Sequence, residues 1–367
     1  MRLSRKNLRK FFFTRKSRWL EVDAQEWRRI KAFKETPFFN VQSGSYSPYW
    51  KHNAKLIQAT SSGGNSSGAV TVEVSGESGF YITPSNKTSI SKITSSLARS
   101  VREGRLGRQV TAWSTYPRPV MTSYGNAYDF VMNSVGEHPP LPGAIPFPLT
   151  SKNVRQCFNG WSGREGTGHV LIAYYLLSLV MKQVPLTVRP LRILEIGPGS
   201  GNLASLFLHY FPGTRITLVD LPETLQLSFL YLRSLFPHLN FVLPNEVTAE
   251  RLMTADVVFL TPDQIQFIPD GSVDISMNVH SFQEMLMPQI ATYFTLLERV
   301  TCSDGYVLVV NRSEKMPNPE ETSINGIGRV RFAEYPWVET WTDMMYVTSP
   351  FHLWVQTNDV MIKLVRV

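Results

Sequence analysis

The sequence predicts an α/β fold: a doubly wound, mostly parallel seven-stranded sheet with a smaller N-terminal mixed extension. Three observations predict it. Leu191, Ile193, Leu194 and Ile196 form a short apolar run of the kind a strand buried on both faces shows. A glycine turn, Gly197-Pro198-Gly199-Ser200-Gly201, follows and opens a helical pattern with Leu203, Leu206, Phe207 and Tyr210 on one face. Phe211-Pro212-Gly213 stops that helix, and a second apolar run, Ile216 to Val219, ends on Asp220. Strand, turn, helix and strand in this order make one unit of an open parallel sheet.

The turn has its own chemistry. Glycines let the backbone bend sharply and let a ligand approach where a Cβ would clash. The helix that follows aims free N–H groups and a partial positive charge at the loop. A carboxylate at the end of the second strand, Asp220, can accept both hydroxyls of a ribose. The unit therefore reads as an adenosine-cofactor site. A dinucleotide fingerprint wants G-x-G-x-x-G. Here the spacing is G-x-G-x-G, and Asn202 stands where the third glycine would be. A dinucleotide site and a purely structural turn stay open as alternatives.

The rest of the sheet follows in order. Pro222 opens a Leu/Phe/Tyr-rich helix and Pro237 closes it. Phe241 to Leu243 and Val257 to Leu260 compete for the third strand. Val257 to Leu260 is followed by Thr261, Pro262, Asp263 and Gln264, and an acid just past the third strand suits an adenine amino group. Val273 to Val279 is the fourth strand and runs into His280. Ile290 to Val300 is its covering helix, and Gly305 to Val310 is the fifth strand, ending at Asn311-Arg312. Met344 to Val347 and Val360 to Val367 read as an antiparallel closing pair. In such a sheet the reacting groups gather at the carboxyl ends of the central strands, which puts Leu221, Asn278 and His280 at one crevice.

Upstream the pattern is weaker. Trp27, Ile30 and Phe33 to Phe39 are expected to pack on the main domain. Thr60 to Gly68, TSSGGNSSG, reads as a low-complexity loop. Val70, Val72 and Val74 alternate with polar residues and, with Phe80-Tyr81-Ile82, read as a hairpin. Ser89 to Arg105 has a modest amphipathic helical pattern. Glu137 to Pro148 holds five prolines and reads as a linker, which places a domain boundary near residue 150. The expected organisation is a basic tail over 1–20, an accessory, substrate-covering region over 21–150 and the main domain over 151–367.

Composition bounds the function. The net charge is +8, but eight of the 37 basic residues lie within the first 20, where there is no acid. The remaining 29 face 29 acidic residues, so the body is neutral. The tail can touch an anionic membrane surface peripherally or a nucleic acid, be a targeting segment, or be a solvated terminus with no partner. No apolar run reaches the roughly 18 residues of a spanning helix. Cys157 and Cys302 make no disulfide framework and read as reduced thiols of a cytoplasmic protein. Asp263, Asp274, Asp304 and Asp343 are scattered and show no ligand spacing, so no metal is expected.

Glu195 lies two residues before the first glycine. E-x-G-x-G-x-G followed by an acidic second-strand end resembles the motif of class I S-adenosylmethionine-dependent methyltransferases, a Rossmann-like fold. That resemblance implies S-adenosyl-L-methionine as cofactor, held by Glu195, Gly197, Pro198, Gly199, Gly201, Asp220, Leu221, Asp263, Gln264 and Asn278. It also implies that the helix over Val170 to Met181 covers the cofactor, with Arg164 or a neighbouring loop residue before it meeting the methionine carboxylate or lining the substrate site. DLPETLQLSFLYLRSLFP, NVHSFQEM, NRSEK and EYPW sharpen the likeness. Over roughly residues 155 to 367 the chain resembles a family of bacterial-type sugar O-methyltransferases that act in glycan or glycosylated-metabolite pathways.

The resemblance implies transfer of a methyl group to a hydroxyl. His280 is the expected base, and Glu284 orients it or binds sugar hydroxyls. Phe282, Tyr335 and Trp337 are expected to stack on a sugar ring, and Asn311 and Arg312 to hydrogen-bond its hydroxyls. A nucleic-acid amino methyltransferase would carry Asn-Pro-Pro-aromatic where this chain has Asn278-Val279-His280-Ser281-Phe282, so nucleic acid is disfavoured as a substrate. An O-methyltransferase of phenols or other small acceptors, and a non-catalytic cofactor-binding module, are the two other expectations.

Overall fold

A computed structural model describes residues 17–37, 58–64, 69–75, 167–186, 190–315, 329–349, 352 and 359–367. Its centre is an eight-stranded sheet. The strands are β4 (Arg192–Ile196), β5 (Arg215–Val219), β6 (Phe241–Val242), β7 (Val257–Leu260), β8 (Val273–Val279), β9 (Thr301–Arg312), β12 (Thr342–Thr348) and β13 (Val360–Arg366). Their spatial order is β12-β13-β9-β8-β4-β5-β7-β6. The six from β9 to β6 run parallel, and β13 is antiparallel to both β9 and β12. The sheet is doubly wound, as the sequence predicts, with one more strand than the seven expected. The extra member is β6, two residues added outside β7. Val257 to Leu260 is thus the strand beside β5.

Strand order reverses between β4 and β8. From β4 the chain steps outward to β5 and β7, and later returns to lay β8 on the other side of β4. Such a switch point leaves a crevice beyond the carboxyl ends of the two strands, where open α/β sheets bind ligands.

Each face of the sheet has its own core. Alternate residues of β4 divide between them: Ile193 joins one cluster, Leu194 and Ile196 the other. On the first face pack helices α2 (Thr167–Gln183), α3 (Asn202–Tyr210) and α4 (Pro222–Leu235), through residues such as Leu176, Phe207 and Phe229. On the second packs α6 (Met287–Val300), through Ile290, Phe294 and Leu297. The short helix α5 (Ala249–Thr254) precedes β7, and β10 (Glu314–Lys315) and β11 (Val330–Arg331) make a separate antiparallel pair. Pro222 occupies the first turn of α4, where its missing N–H costs nothing.

The N-terminal segment contributes helix α1 (Ala24–Lys34), capped by Asp23, whose carboxylate accepts the Gln25 N–H at 2.7 Å. Trp27, Ile30 and Phe33 are buried in the first core, as expected. Burying each of these side chains contributes on the order of 1.5–3 kcal/mol. Arg29 fixes the docking. It pairs with Glu246 at 2.7 Å and donates to the Phe241 carbonyl at 2.7 Å, while Glu26 pairs with Arg233 of α4.

Ahead of and behind that helix, β1 (Ser17–Asp23), β2 (Gln58–Gly64) and β3 (Ala69–Ser75) make an antiparallel sheet in the order β1-β3-β2. Three expectations change here. The first 20 residues are not all tail, since Ser17 onward is strand. Part of the Gly/Ser stretch is β2, because an antiparallel partner supplies the pairing that its composition hides. Ala69–Ser75 is the middle strand of three, paired with β1 on one side and β2 on the other. Phe80 to Ile82, the helix over Ser89 to Arg105, the proline-rich linker and the boundary near 150 lie outside the described residues. No described helix is long and apolar enough to cross a membrane.

Candidate active site

The glycine turn sits at the mouth of the switch-point crevice. Gly197, Gly199 and Gly201 have φ of +70°, +58° and +82°, a conformation that penalises any Cβ. The turn closes by the Gly197 N–H on the Val219 carbonyl at 2.8 Å and the Gly201 N–H on the Pro198 carbonyl at 2.9 Å. Ser228 of α4 donates to the Gly199 carbonyl. Gly197 has a further reason to be glycine: a Cβ there would overlap the side chain of Ser281. The close approach that this glycine permits is made by the protein itself.

Two carboxyls flank the turn. Asp220 lies half-buried at the rim, accepting from the Leu221 N–H at 2.7 Å and the Gly199 N–H at 3.2 Å. Glu195 is 3% exposed beneath the turn. It accepts from the Ala204 N–H in the first turn of α3, and its Oε2 has no partner among the described residues. Burial, with the neighbouring Asp220 charge, pushes the Glu195 carboxyl up to about 8. Burial likewise pushes Asp220 up to about 7, against the pull of the two N–H donors. Asp220 keeps part of its side chain open to the crevice, so burial acts most fully on Glu195.

The third-strand end divides between its two candidates. Asp263 is exposed, and both it and Asp220 act electrostatically on the phenol of Tyr293, which puts the ends of β5 and β7 on the side where α6 faces the sheet. Gln264 is buried and committed to the loop. Its Oε1 accepts from the Thr261 N–H at 3.1 Å and its Nε2 donates to the Pro244 carbonyl at 2.9 Å, so it has little to offer an adenine.

The other wall is the loop after β8, and side chains hold it. Asn278 is fully buried. Its amide donates to the Ile196 carbonyl at 3.0 Å, and its oxygen accepts from the Phe282 N–H and from Asn311 at 2.8 Å. Asn311 in turn accepts the Gln283 N–H at 3.1 Å, and Gln283 accepts the Arg312 N–H at 2.8 Å. Asn278 and Asn311 therefore pin the loop to β4 and β9; neither is exposed for a ligand. Arg312 is exposed, and its backbone N–H belongs to this network.

The expected aromatic platform is corrected in part. Phe282 is wholly buried against Tyr293, Phe294 and Tyr335, with ring centroids 5.7 to 6.0 Å apart. Tyr335 is 4% exposed and sits among Phe294, Phe332 and Trp337. Neither ring has a face left for a sugar. Trp337 is half-buried, donates to the Phe332 carbonyl at 3.2 Å and carries Lys363 over its ring at 4.4 Å. Glu284 is corrected in its orienting role: among the described residues it forms an ion pair with Lys315 and makes no hydrogen bond to His280. Arg164 lies outside the described residues.

His280 stands at the crevice with φ +59°, a left-handed conformation uncommon for a residue with a side chain. Its N–H donates to the Val310 carbonyl at 2.7 Å, and its Nε2 is 3.0 Å from Nε2 of His352. The sequence gives no hint of that partner, which lies 72 residues on and outside any motif. Ser281 over Gly197 and Lys315 on Glu284 are equally long-range. No group of three or more metal-ligating side chains occurs among the described residues.

No protein-family model matches the chain, and no curated protein matches it. Among solved structures, similar ones include a SAM dependent methyltransferase from Aquifex aeolicus, at 15% identity over 51% of this chain and 87% of that one, TM-score 0.31. A geranyl diphosphate C-methyltransferase from Streptomyces coelicolor A3(2) is 12% identical over 54% and 78% of the two chains, TM-score 0.35. A 1,6-didemethyltoxoflavin-N1-methyltransferase from Burkholderia thailandensis is 16% identical over 54% and 77%, TM-score 0.34.

Proposed function

We propose that the protein is an S-adenosylmethionine-dependent O-methyltransferase whose acceptor is a sugar hydroxyl of a glycan or glycoconjugate. One observation carries the cofactor half: Asp220 reaches the Gly199 N–H across a three-glycine turn at the switch point, above a buried Glu195 with one oxygen unpartnered among the described residues. These residues fit an adenosine ligand that carries positive charge. Asp220 would hold the ribose hydroxyls, with Leu221 buried beside it. Asp263, past β7, suits the adenine amino group. Glu195 would answer the cationic end, since a cation nearby favours the ionised carboxyl that burial alone opposes.

When bound, the cofactor supplies a methyl carbon made electrophilic by its sulfonium sulfur. The protein's task is to align an acceptor oxygen with that carbon and to take the hydroxyl proton. His280 is placed for the second part, and a neutral imidazole works as a base near pH 7. The walls pinned by Asn278 and Asn311 serve the first by keeping His280 and the turn in fixed register. The sugar as acceptor is supported by the resemblance of DLPETLQLSFLYLRSLFP, NVHSFQEM, NRSEK and EYPW to the sugar O-methyltransferase family.

The test is transfer of labelled methyl from S-adenosylmethionine to a panel of nucleotide sugars, glycosylated metabolites and simple phenols. Label in a sugar, with His280→Ala lowering kcat by about 10²–10⁴-fold and leaving cofactor affinity unchanged, is the expected result. Label in phenols alone would replace the sugar by a phenolic acceptor. Near-normal turnover in His280→Ala would remove the base assignment.

A further inference from the structure

His352 is a fully buried histidine between β12 and β13, outside every motif in the chain. Its Nε2 lies 3.0 Å from His280 Nε2, with the two rings edge to face at 69°. Its Nδ1 lies 2.7 Å from Ser349 Oγ, and its backbone N–H donates to the same oxygen at 3.3 Å. Ser349 is itself fixed to the sheet, since its N–H donates to the Val360 carbonyl at 2.6 Å. The start of β13 is thus tied, through Ser349 and His352, to the side chain at the end of β8.

A hydrogen bond between two imidazole nitrogens carries one proton, so one ring donates and the other accepts. Ser349 Oγ can donate or accept, so the part His280 plays as base sets the direction. If His280 takes the acceptor's proton on Nδ1, its Nε2 must already carry a hydrogen and donate it to His352. His352 Nε2 is then an acceptor, and its own hydrogen is on Nδ1, donated to Ser349 Oγ. In the step itself the hydroxyl O–H bond breaks as its oxygen takes the methyl group from the sulfonium sulfur, the proton goes to His280 Nδ1, and the other hydrogen stays on His280 Nε2, donated to His352. The reverse direction would put the hydrogen of His280 on Nδ1 and leave it no lone pair for the hydroxyl.

We infer that His352, set by Ser349, is a positioning residue that fixes His280 with its proton on Nε2 and its lone pair on Nδ1. This rests on His280 being the base. It assigns a role to a residue of the closing hairpin that neither the fold nor the cofactor turn requires. A buried second imidazole that fixes a tautomer has the part that carboxylates or carbonyls usually take beside a functional histidine.

The test is two-bond proton–nitrogen NMR on full-length protein labelled at its seven histidines, with His280→Gln and His352→Gln used for assignment. At a pH where both rings are neutral, His352 is expected with its hydrogen on Nδ1, the tautomer a free imidazole disfavours, and His280 with its hydrogen on Nε2. Ser349→Ala is expected to move His352 toward the Nε2–H form. In turnover, His352→Phe should lower kcat without raising KM for the acceptor. His352→Gln should recover part of the loss, because its amide oxygen can accept the same hydrogen. His352 found with its hydrogen on Nε2 in the wild-type protein would overturn the inference, whatever the turnover of the variants. A His280→Ala enzyme with near-normal turnover would instead remove the general base. Loss of turnover in His280→Ala, with the wrong tautomer on His352, would remove this inference alone.

Discussion

The two walls of the switch-point crevice are built differently. On one, the backbone makes the site: three glycines at positive φ, a helix N-terminus and two carboxyls at successive strand ends. On the other, side chains make it: Asn278, Asn311 and Gln283 in one network, Glu284 on Lys315, and His280 on His352. The first wall suits a ligand part that never varies, because backbone geometry is hard to change. The second can be re-specified by a few substitutions, which suits the side that faces an acceptor. The walls touch where Ser281 fills the space left by Gly197.

Breaking that contact should have the largest effect on the fold. Gly197→Ala adds a Cβ where Ser281 already sits, at a φ that alone costs an alanine on the order of 1–2 kcal/mol. We expect a total loss of about 3 kcal/mol in urea unfolding. Ser281→Gly should restore part of it in a double-mutant cycle and leave the φ cost. Additive effects of the two changes would contradict the packing described.

Next come the side-chain pins. Asn278→Ala strands the Ile196 carbonyl, the Phe282 N–H and the Asn311 amide in a buried site. A loss of about 2 kcal/mol is expected by thermal unfolding, with acceptor KM and kcat both impaired. If Asn278 were instead a ligand contact, stability would hold and only cofactor binding would fall.

The carboxyls of the first wall give a pH signature. Glu195 at about 8 in the folded protein holds a proton that the unfolded chain releases near 4.5. Unfolding then releases that proton, so stability contributed here falls as pH rises from about 5 to 8 and levels above that. The slope is about 1.4 kcal/mol per pH unit for one such group. Glu195→Gln should flatten the curve across that window while keeping an oxygen for the Ala204 N–H. Binding of a cationic cofactor should strengthen through the same window as the carboxyl ionises. A wild-type curve parallel to that of Glu195→Gln would show that Glu195 ionises normally.

The smallest effect is expected at Tyr335. Its ring is buried and its hydroxyl has no partner among the described residues. Tyr335→Phe should change stability by less than about 1 kcal/mol and leave acceptor KM unchanged. A large rise in KM would restore the stacking role that its burial denies.

The contrast between the walls also explains what was legible in the sequence. Strand, turn, helix and acid of the first wall lie within thirty contiguous residues, Leu191 to Asp220, and each announces itself by local pattern. The later strands and the closing antiparallel pair are read from the same kind of apolar runs, whereas their spatial order comes from the structure. Phe282 and Tyr335 were expected to stack on a ligand because aromatics near a site look alike whether they face it or the core. Glu284 was expected to serve His280 because it is near in sequence, whereas Lys315 and His352 arrive from 31 and 72 residues away. Asn278 and Gln264 were expected to contact the cofactor, yet each spends its hydrogen bonds on the chain.

The most direct test of the account is calorimetric titration of the purified protein with S-adenosylhomocysteine, with NAD as control, on wild type and on Asp220→Ala. Binding of S-adenosylhomocysteine in the micromolar range, absent for NAD and lost in Asp220→Ala while the fold survives, is the predicted result. Binding of NAD in its place, or S-adenosylhomocysteine binding untouched by Asp220→Ala, would contradict it.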